Sequence, residues 1–547
     1  MIRRFLELVP KHSMYEVNKN FSGNTTIKNP NMLPQFTKAL LGFILLFSAL
    51  ALQAQKTEFE TIGIVPESKR DFNKVLNFFE FEESYVVLNS PKTNAKELFF
   101  VDKKSGAVLM ESELEDYFMT RVGMGIIKNQ FVIIGLEPEE DEFYSHVVYY
   151  CFNPKGELLK KGVLLKEMAN KGQLREKAQA YFDPKGNFLV LKSKKESEPE
   201  TIYTAAFDAE LSLLNETNET FQSVKQVDKS LRAANQELVF DEEGNFFFLA
   251  EDRSGIRLAQ RIDGYTSLKI RMNFDALGIG EGLGLVHLNK LNEDSLLISA
   301  LVMKEGEPER EYSYVGIGKL KFFNLLGYYN SLYSIYDQEL ISEKIIYFSE
   351  EEKKAWPLTH AATEKYRVSF SQSFDQRILP LENGNFLSIT EHRNLILDSF
   401  IRDFLIITLH EPNGDIIWTK NIAKYQGTPS EINYQNYYFF TSFSSVIVDQ
   451  QLKLIYSQRN DTTRGNIINK PQISVMTKGD MKKAQHKIIS IDLKTGETLT
   501  EELANYEENY PRFLRGEFSE DLFPAGPYIL MRDFELDRDV VVKLKSN

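Results

Sequence analysis

The sequence predicts an all-β fold, a single β-propeller built from four-stranded blades. Three observations lead to this prediction. Strand-like apolar runs separated by short polar turns fill most of the 547 residues, one type of turn recurs at a regular spacing, and 40 Phe and 25 Tyr favour pleated sheets. The hydrophobic share of 42% is enough to bury a large core. Long amphipathic helical patterns do not occur in the sequence.

One segment recurs three times along the chain. The copies start at residues 179, 238 and 379 and read QAYFDPKGNFLVLKS, LVFDEEGNFFFLAED and LPLENGNFLSITEHRN. Each copy has a strand-like run, an acidic turn ending in Gly-Asn, then Phe and a second strand-like run. In the first copy Asp183 and Pro184 open the turn, and Gly186 stands where a positive φ is needed. The segment therefore predicts a β-hairpin.

The spacing of the turn glycines gives the length of the repeating unit. Gly186 and Gly244 are 58 residues apart, whereas Gly156 and Gly186 are 30 residues apart, as are Gly384 and Gly414. A full unit of about 60 residues with a half-unit of about 30 contains two hairpins and therefore four short strands. This is the composition of a propeller blade.

Units placed end to end give the expected blades. Seven of them fall at residues 76–112, 123–164, 178–217, 235–273, 283–328, 377–422 and 444–503. An eighth would take three strands from residues 517–545 and a fourth from Phe59 to Val65, which would close the ring without an exposed edge. We therefore favour eight blades, with seven as the alternative. The segment at about 331–366 interrupts the period and is expected to be a partly helical insertion that packs on the ring.

Two of the copies resemble a known repeat. FDPKGNFLVL and FDEEGNFFFLAEDRSGIRLAQRID are similar to the NHL-type blade of secreted bacterial β-propellers, and three copies carry its Gly-Asn-Phe sequence. The resemblance implies a propeller fold. It implies no particular activity, because propellers serve both as binding scaffolds and as enzymes of several chemistries.

The N-terminal region predicts export. An apolar run, ALLGFILLFSALA, follows Lys38 and precedes the small-residue site Leu52-Gln53-Ala54, which is the pattern of a secretory signal peptide. The run is shorter than the roughly 20 residues that span a bilayer, so a retained N-terminal membrane anchor is the alternative. We expect residues 1–31 to be a non-native or untranslated extension, with translation starting at Met32. Residues 32–54 then form the signal peptide and residues 55–547 the propeller.

Charge and cysteine content narrow the environment and the partners. Residues 1–54 carry a net charge of +4, so the rest of the chain carries −17. This charge repels nucleic acid and anionic lipid, both of which bind basic patches. We expect a secreted or periplasmic protein of the cell envelope, a monomer with no nucleic-acid partner and no membrane span after signal cleavage. Cys151, the single cysteine, lies in the strand-like HVVYYCFN and is predicted to be a packed core thiol.

The predicted working surface is the face formed by the loops between the second and third strands of each blade, here called the loop face. Three of these loops place an arginine before a small polar residue: Arg253, Arg393 and Arg459. Guanidinium groups that converge would bind a carboxylate, a phosphate or a sulfated sugar. The alternative is that each arginine only ties its own hairpin together.

Glu251, Glu391 and His392 accompany these arginines as candidate binding residues. His392 lies between Glu391 and Arg393 in what is expected to be a loop, and it is the one catalytic candidate, because a general base needs such a partner. An exposed loop histidine without a catalytic role is the alternative. The sequence contains no G-x-S-x-G, H-E-x-x-H or Walker A motif, and its acidic turns lack the ligand spacing of a calcium loop. We predict no metal and no cofactor, and we favour a non-enzymatic function.

The combined interpretation is an exported β-propeller that acts as a binding or interaction scaffold for a protein or glycan partner through its charged loop face. Two alternatives stay open. One is an extracellular hydrolase or lyase that acts on a polymer, with His392 in the central funnel. The other is a structural module of an envelope assembly.

Overall fold

Four consecutive antiparallel strands form the repeating unit of the protein, as seen in a computed structural model. The structure describes residues 59–66, 75–89, 97–113, 120–138, 145–168, 178–195, 200–221, 238–241, 244–252, 255–262, 265–271, 277–278, 280–306, 322–356, 370–396, 399–429, 443–459, 484–502, 509–512, 528–533 and 538–544. The predicted extension at 1–31 and the predicted signal peptide at 32–54 lie outside these residues.

The strands are labelled in chain order, starting with β1 (Phe59–Ile64). Sheet 1 contains β2 (Val75–Glu80), β3 (Ser84–Asn89), β4 (Glu97–Asp102) and β5 (Val108–Glu113). Sheet 2 contains β6 (Thr120–Ile127), β7 (Gln130–Pro138), β8 (Ser145–Phe152) and β9 (Leu158–Met168). Sheet 3 contains β10 (Gln179–Phe182), β11 (Phe188–Lys195), β12 (Glu200–Asp208) and β13 (Leu213–Phe221). Sheet 4 contains β14 (Leu238–Phe240), β15 (Phe246–Asp252), β16 (Gly255–Ile262) and β17 (Tyr265–Arg271).

The second half of the chain repeats this plan. Sheet 5 contains β18 (Glu281–Asn292), β19 (Ser295–Gly306), β20 (Phe322–Ser334) and β21 (Glu339–Tyr347). Sheet 6 contains β22 (Phe370–Pro380), β23 (Phe386–Ile396), β24 (Ser399–His410) and β25 (Ile416–Pro429). Sheet 7 contains β26 (Phe443–Val448), β27 (Gln451–Arg459), β28 (Ala484–Asp492) and β29 (Thr498–Glu502). The last strands are β30 (Asn509–Arg512), β31 (Tyr528–Asp533) and β32 (Arg538–Leu544).

The prediction of an all-β fold of the propeller type is confirmed. In sheets 1 to 7 each strand pairs antiparallel with the next one in the chain. One helix, α1 (Glu350–Lys354), starts at a capping box formed by Ser349 and Glu352. Within the described part of the chain, no helix has the length and apolar character needed to cross a bilayer.

The eighth sheet takes strands from both ends of the chain. Its order is β1-β32-β31-β30, with Phe59 opposite Leu544 and Ile64 opposite Val540. The expected pairing of a strand near residues 59–65 with C-terminal strands is therefore present. The first of the three C-terminal strands, however, starts at Asn509 rather than within 517–545. The sequence NYPR was not recognised as a strand because proline is disfavoured inside a sheet. The proline is tolerated here because β30 is the edge strand of its sheet.

The segment expected to be an insertion at about 331–366 differs from the prediction. Ser331 to Ser334 complete β20, and β21 is the fourth strand of sheet 5. The interleaved acidic and basic residues that suggested an insertion lie on this outer strand, where one side of the strand is exposed and tolerates charge. Among the described residues of this segment, 331–356, the short helix α1 agrees with the expected helical character.

Buried apolar side chains pack between neighbouring sheets rather than at one common centre. Every core cluster in the described residues has members from at least two consecutive sheets. Val542 of sheet 8 packs with the sheet 7 cluster. Val65, which follows β1, packs against Phe78 and Tyr85 of sheet 1. The apolar contacts therefore pass from sheet to sheet and return from the eighth sheet to the first.

The turn glycines have the conformation that the sequence predicted. Their φ angles lie between +68° and +90° at Gly106, Gly156, Gly186, Gly244, Gly384, Gly414 and Gly496. In the first repeat copy, the Gly186 N–H donates to the carbonyl oxygen of Asp183 at 2.8 Å. These turns join the first to the second strand or the third to the fourth, so they lie at the end of the sheets opposite the loop face. We call this end the turn face.

Tyr85 links the last sheet to the first by hydrogen bonds. Its hydroxyl donates to the carbonyl oxygen of Ile64 at 2.5 Å and accepts from the Ile64 N–H at 2.8 Å. Tyr85 is buried, and this burial raises the pKa of its phenol to about 12. A Cβ at Gly63 would lie 2.5 Å from the Tyr85 ring, so only glycine permits the contact.

We expect Tyr85→Phe to lower the free energy of unfolding by about 1–3 kcal/mol, because both polar groups of Ile64 lose a buried partner. Urea unfolding of the purified protein measures this. Tyr336→Phe is the matched control, since Tyr336 is 84% exposed. Equal unfolding midpoints for the two variants would show that the Tyr85 contact does not stabilise the junction.

Candidate functional site

The three predicted arginines occupy equivalent places in their sheets. Arg393 lies near the end of β23, and Arg459 is the last residue of β27. Arg253 itself lies outside the described residues, but it directly follows β15. β15, β23 and β27 are each second in their sheets and end toward the loop face, so Arg393 and Arg459 lie at that end of their strands. Glu251 lies in β15, opposite Ile256.

The prediction that Glu391 and His392 lie in an exposed loop is wrong. Both are inside β23, and their exposed fractions are 1% and 3%. The loop prediction rested on the charge of TEHRN, but a charged residue remains in a buried strand when a partner of opposite charge is buried with it. β23 continues to Ile396, and β24 starts at Ser399.

Two β-bulges coincide at this point in sheet 6. The β23–β24 register shifts between Glu391 and Arg393, and the β24–β25 register shifts between Arg402 and Phe404. At the second shift, Lys424 lies on β25 between residues that pair with Phe404 and Arg402. Bulges bend a strand and redirect its side chains, and they are frequent next to functional sites. We call residues 391–393, 402–404 and 423–426 the double-bulge site.

A buried ion pair holds the double-bulge site together. The Lys424 ammonium donates to Glu391 Oε1, and the two side chains are 0% and 1% exposed. The pair connects the second and fourth strands across Leu405 of the third strand, which is opposite Glu391. Burial of two charges is costly unless they compensate each other, so each charge here depends on the other.

The ion pair faces sheet 7 through an aromatic ring. Lys424 Nζ lies 4.9 Å from the centroid of the Phe443 ring, and the Arg377 guanidinium carbon lies 4.5 Å from the same centroid. Phe443 is the first residue of β26 and is 1% exposed. Contacts of cations with an aromatic face are attractive and gain strength when water is excluded. The double-bulge site is therefore anchored to the next sheet.

His392 points away from solvent and packs as an aromatic residue. Its ring stacks on Phe404 at 4.8 Å with an interplanar angle of 19°. Phe404 in turn lies 5.8 Å from Trp356, which follows α1. A general base must reach a substrate, and a 3% exposed ring between sheets does not meet this requirement. We therefore assign His392 to packing.

The opposite face of sheet 6 carries a second buried polar group. The Tyr328 hydroxyl lies 3.3 Å from the hydroxyl oxygens of both Thr390 and Thr408, and full burial raises the pKa of this phenol. His410 is 0% exposed, stacks on Phe386 at 4.7 Å and has its Nδ1 3.1 Å from the carbonyl oxygen of Gly414. A carbonyl oxygen only accepts, so Nδ1 carries a proton, and burial keeps the ring neutral at pH 7 by lowering its pKa to about 4.

Sequence reasoning missed several residues of this region, namely Lys424, Arg377, Tyr328, Arg402 and His410. No local signal marks Lys424, because its partner lies 33 residues earlier in the chain. Cys151 is buried, as predicted, and burial raises the pKa of its thiol to about 11. Within the described ranges, no group of three His, Cys, Asp or Glu side chains is arranged to hold a metal ion.

Comparison with known proteins gives similarity of fold only. No protein-family model matches the sequence, and no curated protein matches it. Among solved structures, the WD40 domain of SCAP from fission yeast is 8% identical with a TM-score of 0.35, over 89% of this chain and 97% of that one. A polysaccharide lyase, the PL25 ulvan lyase, is 6% identical with a TM-score of 0.40, over 89% and 96%. The periplasmic gluconolactonase of Pseudomonas aeruginosa is 10% identical with a TM-score of 0.33, over 79% and 94%. None of these similarities assigns a function to this chain.

We expect Glu391→Gln to lower the free energy of unfolding by about 3–5 kcal/mol, because it leaves the Lys424 ammonium buried without a counter-charge. The double variant Glu391→Leu with Lys424→Met should recover most of this loss, since it removes both charges. Glu210→Gln is the control, because the Lys128–Glu210 pair is exposed and its loss costs at most about 1 kcal/mol. Chemical unfolding measures all three. A double variant as unstable as the single one would refute the dependence of each charge on the other.

We expect acid to destabilise the protein through His410. Burial lowers the pKa of this imidazole from 6.5 to about 4, so the unfolded chain binds a proton below pH 6.5 that the folded chain excludes until about pH 4. The free energy of unfolding should therefore fall by about 3 kcal/mol across this window. His410→Gln removes the titrating group. The unfolding free energy of the unchanged protein minus that of the His410→Gln variant should therefore fall by about 3 kcal/mol between neutral pH and pH 4. A constant difference would contradict the assignment.

Proposed function

We propose that the protein is an exported β-propeller that serves as a binding scaffold for a protein or glycan with anionic groups, which it contacts through the loop face. Arg253, Arg393 and Arg459 supply the positive charge. Carboxylate, phosphate and sulfate groups all fit the planar donor fork of arginine. Export rests on the signal-peptide pattern of residues 32–54, and the NHL-like character rests on the Gly-Asn-Phe turns.

One register observation carries this proposal. Arg393 on β23 is directly opposite Arg402 on β24, within the double-bulge site and next to the loop face. Like charges at directly opposed positions weaken strand pairing. An anion bound at this end of sheet 6 would remove that cost, so the sheet is arranged to favour a negatively charged ligand.

The buried groups of the double-bulge site support a rigid scaffold rather than catalysis. Glu391 and Lys424 neutralise each other inside the core, and His392 is stacked on Phe404. These residues hold the strand ends that carry Arg393 and Arg402. Their part in binding is to fix the backbone of the loop face, whereas direct contact with the ligand is left to the arginines.

The test is a capture experiment on immobilised protein without the signal segment. The probes are heparin, as a defined sulfated glycan, and an envelope extract of the source organism. We expect the Arg253→Ala, Arg393→Ala, Arg459→Ala triple variant to lose heparin binding and the same envelope components, because the three guanidinium groups provide the contact.

A charge-matched control uses the opposite face. Lys104, Lys155 and Lys494 are exposed residues of turns on the turn face, so Lys104→Ala, Lys155→Ala, Lys494→Ala removes the same charge. This variant should bind like the unchanged protein. Equal losses in both variants would indicate non-specific charge attraction. Full binding by the arginine variant would show that the arginines only stabilise their hairpins, and the proposal would fail.

A further inference from the structure

The outer hairpin of sheet 5 exposes four large apolar side chains. Tyr336, at the turn between β20 and β21, is 84% exposed, and Ile341, Tyr347 and Leu340 on β21 are 54%, 47% and 38% exposed. All four lie within a stretch of twelve consecutive positions, 336–347. Large exposed apolar side chains close together mark interaction surfaces more often than single ones do.

The backbone of β21 has a free edge in the described part of the structure. The strand is last in the order β18-β19-β20-β21 and pairs with β20 from Gly327–Tyr347 to Ser334–Glu339. Unpaired N–H and C=O groups along such an edge accept a further strand. With nine residues, β21 is long enough to form several hydrogen bonds with an added segment.

The charged side chains that could protect this edge from pairing form contacts with other residues. Soluble proteins protect edge strands with charged side chains. On β21, however, Glu343 accepts a hydrogen bond from the Tyr329 hydroxyl at 2.5 Å, and Lys344 Nζ lies 2.7 Å from Asp415 Oδ2 of sheet 6. Both central charges of the strand are thus committed to contacts with their own and the neighbouring sheet. The solvent side of the strand is left to Leu340, Ile341 and Tyr347.

The charge around the hairpin selects the partner. Asp337 and Glu339 are exposed and lie beside Tyr336, Leu340 and Ile341. A second copy of this chain would bring the same acidic hairpin and a net charge of −13. Like charges of this size oppose self-association. A partner with basic residues between its apolar ones is complementary.

We infer that β21 binds an extended segment of a partner protein that alternates aliphatic residues with Lys or Arg, and that this segment adds to sheet 5 as a fifth strand. Backbone hydrogen bonds along the free edge provide affinity, and contacts with Tyr336, Leu340 and Ile341 provide selectivity. This surface starts at the turn face, where Tyr336, Leu340 and Ile341 lie, and follows the outer edge of sheet 5 along β21. It does not include the three arginines, and it does not depend on the anion-binding proposal.

The test measures fluorescence anisotropy of two labelled peptides at physiological salt. One peptide alternates Val and Lys, and the other alternates Val and Glu. We expect the basic peptide to bind and the acidic peptide to bind at least about tenfold more weakly, because the hairpin is acidic. Ile341→Lys should weaken binding of the basic peptide by a similar factor, and so should Tyr336→Ala, which changes no charge.

Leu159→Lys on the outer strand of sheet 2 is the matched control. Leu159 is 53% exposed and follows Glu157-Leu158, just as Ile341 follows Glu339-Leu340. This variant and the triple arginine variant should bind the basic peptide like the unchanged protein, so a failure of this inference is distinct from a failure at the loop face. Equal weakening by Leu159→Lys, equal binding of both peptides, or no binding at all would overturn the inference. So would a dimer in sedimentation velocity that Ile341→Lys abolishes, because the occupant would then be a second copy.

Discussion

The close approach of turn glycines to the preceding sheet is the constraint on which the rest of this structure depends, and it holds at Gly156, Gly186, Gly244, Gly414 and Gly496. A Cβ at Gly156 of sheet 2 would lie 2.6 Å from the Cβ of Met110 in sheet 1, and a Cβ at Gly244 would lie 2.6 Å from the ring of Phe188 in sheet 3. Such distances exclude any side chain. Positive φ and missing Cβ are therefore needed at the same positions, and only glycine provides both. The spacing of neighbouring sheets follows, and with it the apolar layers between them.

Sheet 6 buries polar groups on both of its faces. Toward sheet 5 it presents the hydroxyl groups around Tyr328, and toward sheet 7 it presents the Glu391–Lys424 ion pair. Buried polar groups cost free energy unless they are fully paired, so they permit few alternative arrangements. The result is a stiff sheet whose loop end carries Arg393 opposite Arg402. The buried ion pair and the two arginines are thus connected through the backbone of the double-bulge site.

The repeating architecture presents surfaces of different chemical character at different parts of its sheets. The loop face receives the ends of the second strands, where arginines recur, whereas the outer edge of sheet 5 offers apolar and acidic character. In the two proposals made above, these surfaces bind ligands of opposite charge.

Local sequence determined the strands and the turns. These features depend on near neighbours: the Gly-Asn-Phe turn needs a positive φ, and alternating apolar runs need a sheet. The pairing of a strand near residue 59 with the C-terminal strands was predicted from the number of repeating units and the need to leave no exposed edge. Tertiary structure decided the environment of the charged residues. Glu391 and His392 belong to a buried strand because Lys424, 33 residues away, compensates the carboxylate. In β21 of sheet 5, Glu343 pairs with Tyr329 and Lys344 pairs with Asp415. Charge alone predicted a loop and an insertion at these places, since a sequence shows where a charge is but not whether another chain segment neutralises it.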